Sequence, residues 1–279
     1  MADYAKDVLV EPEWLEQHLD DDGIRIVEVD ENPALYQEAH IPGAIGFDWR
    51  KDLQDQVRRD FLGPEDFGRL FGSRGVSNDH QVILYGDRNN WFAAYTYWYL
   101  KYYGHDDVKL LNGPRERWIS EGRPTTTEAP SHPPATFTAK PGNAAIRAVR
   151  DEVLRAIDDK HQLVDVRSPQ EFSGELMAPA GYESEGAQRA GHIPGAKSIP
   201  WAQAVREDGT FKSADELAEL YGSKGVLDGD PIIAYCRIGE RSAHTWFVLH
   251  ELLGRDDVKN YDGSWTEWGS LVGVPIEKD

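Results

Sequence analysis

The strongest constraint on this fold is an internal repeat. Leu220-Tyr221-Gly222-Ser223-Lys224-Gly225-Val226 restates Leu70-Phe71-Gly72-Ser73-Arg74-Gly75-Val76, and Asp256-Asp257-Val258-Lys259 restates Asp106-Asp107-Val108-Lys109. From Leu70 onward the offset is a constant 150 residues, without a gap over roughly 40 positions. Further upstream, Leu163-Val164-Asp165-Val166-Arg167 answers the run Ile26 to Asp30, and Gly191-His192-Ile193-Pro194-Gly195-Ala196 answers His40-Ile41-Pro42-Gly43-Ala44. A chain with this property is a tandem duplication, and each half must fold as one unit.

Within a copy, short apolar runs alternate with helical segments. Val8 to Val10, Ile24 to Asp30, Gln81 to Tyr85 and Val108 to Leu111 read as strands. Glu11 to Leu19 reads as a helix opened by Pro12, and Trp91 to Tyr103 as an aromatic helix closed by Gly104. This alternation predicts an α/β fold with a mainly parallel sheet of about five strands, flanked by helices, in each copy. The Pro/Thr-rich stretch beginning at Arg123 marks a linker, giving an N-terminal domain over 1–124, a linker over 125–142 and a C-terminal domain over 143–279. The second copy carries an insertion at 173–189, polar and Gly/Pro-containing, expected to fold over whatever site lies there.

Composition narrows the functional classes. No stretch approaches the ~18 apolar residues of a membrane span, and the start, Met1 to Asp7, lacks the basic and apolar regions of a signal peptide. A single cysteine rules out an intrachain disulfide and points to a reducing, cytoplasmic setting. Asp and Glu outnumber Lys and Arg 49 to 30, a formal net charge of −19. Such a surface repels nucleic acid and anionic membranes, so an anionic ligand has to be drawn in by a local arginine cluster. It suits a high-salt cytoplasm and an acidic mesophile alike. No His, Cys, Asp and Glu spacing matches a metal site, so neither metal nor cofactor is expected. A monomer or dimer is expected.

The lone cysteine stands in Pro231-Ile232-Ile233-Ala234-Tyr235-Cys236-Arg237-Ile238-Gly239-Glu240-Arg241-Ser242. A strand-type run precedes it and a helical segment follows. Ligands of open α/β sheets bind beyond the carboxyl ends of the strands, where Cys236 falls. A buried free cysteine acting as a small hydrophobe is the bland alternative. Against it, Arg237, Arg241 and a helix start favour thiolate over thiol, and the repeat places Gly86 at the matching position, so the scaffold does not need the thiol for packing. Gly239 suits a tight turn with inward N–H groups. His40 and His192 occur in both copies while the cysteine occurs in one, which argues for a structural part in their turns.

These residues resemble the rhodanese family, specifically its two-domain thiosulfate sulfurtransferases. Tyr36 to Phe47 fits the family's N-terminal signature, Tyr261-Asp262-Gly263-Ser264-Trp265-Thr266-Glu267-Trp268 its C-terminal one, and Cys236 to Arg241 its six-residue active-site loop. The resemblance covers nearly the whole chain. It implies a catalytic Cys236 that takes the outer sulfur of thiosulfate as a persulfide, releases sulfite, and passes the sulfur to cyanide or a thiol. It implies a substrate-binding loop of Arg237, Ile238, Gly239, Glu240 and Arg241, with the two arginines as anion clamps. Asp165 and Arg167 stand as supporting residues. A basic residue after the cysteine goes with thiosulfate, whereas mercaptopyruvate enzymes resemble Cys-Gly-Ser-Gly there. The chain departs from the common eukaryotic form at Glu240-Arg241, and Glu171 stands where some members carry a substrate-side arginine. The two alternatives are 3-mercaptopyruvate as donor and a persulfide carrier serving a protein partner. A phosphatase of the related fold needs five residues between cysteine and arginine; Cys236 and Arg241 have four.

Overall fold

The computed structural model describes residues 3–229 and 231–278, so Met1, Ala2 and Asp279, at the ends of the expected domains, lie outside the described residues. The chain forms two compact units. One comprises residues 7–143 and 205–211, the other residues 3–6, 144–204 and 212–278.

Each unit holds one five-stranded sheet. In the first, β1 (Leu9–Val10), β2 (Ile24–Glu28), β3 (Ile45–Gly46), β4 (Gln81–Tyr85) and β5 (Val108–Leu111) are ordered β1-β5-β4-β2-β3. In the second, β6 (Arg147–Ala148), β7 (Gln162–Asp165), β8 (Lys197–Ser198), β9 (Ile232–Tyr235) and β10 (Val258–Tyr261) are ordered β6-β10-β9-β7-β8. Every pairing is parallel, and the two orders are the same once the elements are matched by the repeat. The tandem α/β reading therefore holds. The central strand of each sheet is β4 or β9, the latter running straight into Cys236.

The repeat is visible in the cores. Ile83, Tyr85, Leu111 and Trp118 are buried in one, and Ile233, Tyr235, Tyr261 and Trp268 take the same places in the other. Central strands buried on both faces explain the continuous apolar runs of Val82–Tyr85 and Ile232–Tyr235. Tyr85 accepts the Ile41 N–H at 2.9 Å and Tyr235 accepts the Ile193 N–H at 3.0 Å, pinning each His-Ile-Pro-Gly-Ala loop to its sheet. His40 stacks on Tyr36 and hydrogen-bonds with the Tyr36 and Glu128 carbonyls. His192 stacks on Phe172 and pairs with its carbonyl at 2.9 Å. Both histidines hold loops in place.

The stretch read as linker packs along the first unit. Phe137 is buried among Phe67, Phe71 and His105, and the Ala135 N–H donates to the Gly72 carbonyl at 2.8 Å. A Cβ on Gly72 would meet the Ala135 carbonyl oxygen at 2.6 Å. Gly72→Ala is thus expected to cost roughly 1–3 kcal/mol through overpacking, outweighing the helix propensity gained. Urea denaturation of the full chain measures this; an unchanged or raised midpoint would mean the segment is not held there.

Candidate active site

The site is built where β9 ends. Cys236 is fully buried. Its backbone is fixed from the β10 side: its N–H donates to the Ser264 hydroxyl at 3.0 Å, and its carbonyl accepts the Trp265 N–H at 3.0 Å. The chain then turns through Gly239, whose φ of 100° and 2.6 Å approach of a would-be Cβ to the Asp262 Cα admit only glycine. That turn aims the Gly239 N–H at Sγ, 3.1 Å away, and leads into the helix Glu240–Trp246, all seven residues of which are buried.

Five charged side chains form a network at the cysteine loop. The thiol donates to Glu240 Oε2 at 3.1 Å, and the same oxygen accepts the Ile238 N–H at 3.2 Å. Arg237 donates to Glu240 Oε1 at 3.1 Å and meets Glu185 at 3.2 Å, with Tyr182 stacked under its guanidinium at 3.8 Å. Glu185 and Tyr182 belong to the 173–189 insertion, which does fold onto the cysteine loop. Arg241 makes a two-pronged pair with Glu171 at 3.0 and 3.1 Å. The Nε–H groups of Arg237 and Arg241 are both buried with no hydrogen-bond acceptor among the described residues.

The electrostatics depart from the expectation of a resting thiolate. Burial pushes the Cys236 thiol above its ordinary value and the Glu240 carboxylate pushes it further, with Arg241 and Ser242 opposing only in part. Burial alone would also raise Glu240, but Arg237 and Arg241 hold it below the usual carboxylate range. Glu171 behaves likewise, burial being outweighed by Arg241. At neutral pH the site thus holds a neutral thiol against an ionised carboxylate. The arginines beside Cys236 in sequence favour the thiolate, and burial together with the Glu240 carboxylate opposes them.

Asp165 and Arg167 form a buried ion pair at 2.6 Å, and Arg167 also donates to the Gly191 carbonyl at 2.7 Å. Its guanidinium lies 4.5 Å over the Trp265 ring, the residue whose N–H holds the Cys236 carbonyl. Their reach to the loop is through Trp265. Sequence reasoning missed four neighbours of the site: Glu171 as the partner of Arg241, Ser264, Tyr182 and Glu185. The Ser168-Pro169-Gln170-Glu171 capping box was a legible signal for a helix start there, but nothing in it foretold that Glu171 would also take Arg241.

Comparison with known proteins agrees with the duplicated α/β fold. The model for the rhodanese-like domain matches residues 11–121 and 149–271. A Haloferax volcanii protein provisionally named a thiosulfate sulfurtransferase is 58% identical, covering 99% of this chain and 98% of its own. The sulfur carrier protein TtuD of Thermus thermophilus is 56% identical over 98% of this chain and 97% of its own. Among solved structures, SseA of Escherichia coli, described with 3-mercaptopyruvate sulfotransferases, superimposes with a TM-score of 0.80 at 29% identity, covering 92% of this chain and 98% of its own. Among the described residues no helix is long and apolar enough to cross a membrane. With a rhodanese-like domain in each half and relatives of this identity along its whole length, the chain belongs to the rhodanese family.

Proposed function

We propose that this protein is a thiosulfate sulfurtransferase working by double displacement through a Cys236 persulfide. The observation that carries the reading is the cysteine loop: one loop N–H lies 3.1 Å from Sγ, and its two buried arginines each have an Nε–H with no hydrogen-bond acceptor among the described residues, that of Arg241 standing 3.7 Å from Glu240 Oε1. Buried donors without partners are costly unless a ligand uses them, and a small sulfur oxyanion offers the oxygens they need. In the first step the Cys236 sulfur bonds to the outer sulfur of thiosulfate and the S–S bond of the donor breaks, its electron pair leaving with sulfite. In the second, cyanide or a thiolate takes the outer sulfur and the Cys236 sulfur keeps the bonding pair.

Arg237 is the proposed anion contact and the Ile238 and Gly239 backbone lines the sulfur's side of the loop. Arg241 is placed by Glu171 and presents its charge to the sulfur. Since Arg237 is held by Glu185 and Tyr182, entry of the donor has to displace Glu185 from the guanidinium. The name of the Thermus relative supports a second reading, in which the persulfide is handed to a protein acceptor. The SseA likeness makes 3-mercaptopyruvate the donor to test against thiosulfate.

Incubation with thiosulfate is expected to raise the intact mass by one sulfur atom with one equivalent of sulfite, and cyanide or a thiol to restore it. No mass gain from thiosulfate, with full loading from 3-mercaptopyruvate, would replace the donor. Sulfur retained against small acceptors but lost to a protein acceptor would favour the carrier reading.

A further inference from the structure

Sulfur transfer to Cys236 leaves a proton to be placed. The cysteine begins as a buried thiol and ends as a persulfide, which is anionic at neutral pH. No water is needed to account for that proton, because one acceptor already touches it: Glu240 Oε2 lies 3.1 Å from Sγ and receives the thiol hydrogen bond. We infer that Glu240 is a catalytic residue, the general base that takes the Cys236 proton during sulfur loading and returns it when the sulfur leaves. This inference rests on the persulfide reading above and assigns the proton within it.

The buried charge supports the assignment. The groups facing Glu240 are Cys236 at the strand end, Arg237 on the loop and Arg241 on the helix; Glu171 reaches it through Arg241, and Glu185 of the insertion through Arg237. Counting Glu185, whose Oε2 is buried against Arg237, the resting site holds two guanidinium and three carboxylate charges, a net charge of −1. If Glu240 kept its charge after loading, the persulfide would add an uncompensated negative charge to a buried site. If Glu240 takes the thiol proton, the persulfide carries the charge that Glu240 gives up, and the net charge of the site is unchanged. Its new O–H can then donate to the persulfide. The loading step balances internally: thiosulfate enters and sulfite leaves, both dianions, while one proton moves from Sγ to Oε2. In the second step the Cys236 sulfur regains that proton from Glu240 as thiocyanate or the acceptor persulfide departs. Geometry also suits the role, because Oε1 is held by Arg237 and Oε2 by the Ile238 N–H, leaving the carboxylate a single orientation toward the sulfur.

The test compares wild type, Glu240→Gln and Glu240→Asp in single-turnover loading, read as the sulfite burst, beside alkylation of Cys236 by iodoacetamide. Removing a general base costs on the order of 10²-fold or more, so the Glu240→Gln burst is expected to fall by about that factor. Glu240→Asp is expected to recover part of it. Alkylation of Glu240→Gln at neutral pH is expected not to slow, because losing the neighbouring charge favours the thiolate. A purely structural role would slow both reactions. A purely repulsive role would leave the burst as fast as wild type or faster, and either result overturns the proposal. Wild type alone gives a further reading should Glu240→Gln not fold: the burst rate is expected to be flat below the range in which the thiol ionises. A burst that climbs in proportion to hydroxide there would mean a preformed thiolate and would sink the idea. If wild type loads from inorganic polysulfide but not thiosulfate, the donor reading fails, and the Glu240→Gln loss is then expected with polysulfide.

Discussion

Replacing Cys236 with serine is expected to lower sulfite release from thiosulfate by on the order of 10⁴-fold or more, and to abolish the mass gain of one sulfur. A hydroxyl is a far poorer nucleophile than a thiol and cannot carry a sulfane sulfur. The fold should survive the change. Gly86 occupies the matching place after β4, so the scaffold forms without a side chain there, and the Ser264 and Trp265 contacts that fix residue 236 use only its backbone. Circular dichroism and urea titration check the fold, and intact mass with sulfite assay checks the chemistry. Substantial turnover by a folded Cys236→Ser protein would end the persulfide mechanism.

Arg241→Leu should act mainly on stability. Glu171 and Arg241 are both buried and joined by two hydrogen bonds, so removing the guanidinium leaves a buried carboxylate without its paired counter-charge, with only the weaker attraction of Arg167. Breaking one side of such a pair costs about 3–5 kcal/mol, whereas the double change Glu171→Met with Arg241→Leu should recover much of it. The pH dependence follows from the depressed Glu171 carboxyl. Its stabilising contribution is present above the unfolded-state value of an ordinary carboxyl and is lost as pH falls through the lower folded-state value. In Arg241→Leu the stranded Glu171 takes up a proton more readily, so the deficit against wild type should shrink between pH 7 and pH 4.5. Urea midpoints at the two pH values measure it. A variant as stable as wild type would overturn this, whereas a raised KM for thiosulfate beside the loss of stability would agree with the Arg241 Nε–H as an oxyanion donor.

How far the site was legible depended on how far each partner lay along the chain. Cys236, Arg237, Gly239, Glu240 and Arg241 share one turn, and the spacing placed them together. Arg241 reads as a clamp or as one side of a salt bridge within its own domain, and only the structure shows the partner to be Glu171, 70 residues earlier. Arg237 reads as a surface arginine or a clamp until the insertion lays Tyr182 and Glu185 against it. Sequence spacing reports neighbours within one turn or one strand, and it carries no measure of which distant carboxylate packs against which guanidinium.

The same division runs through the whole molecule. The sequence by itself determined the duplication, the parallel α/β class and the place of the single thiol at the end of the central strand. Those follow from periodicity, turn residues and a fixed offset, all written locally. Only the tertiary structure decided the protonation of that thiol. Burial and one carboxylate at 3.1 Å outweigh Arg241, which the sequence shows nearby, because charges in a water-excluded site act according to distance and desolvation, not order along the chain.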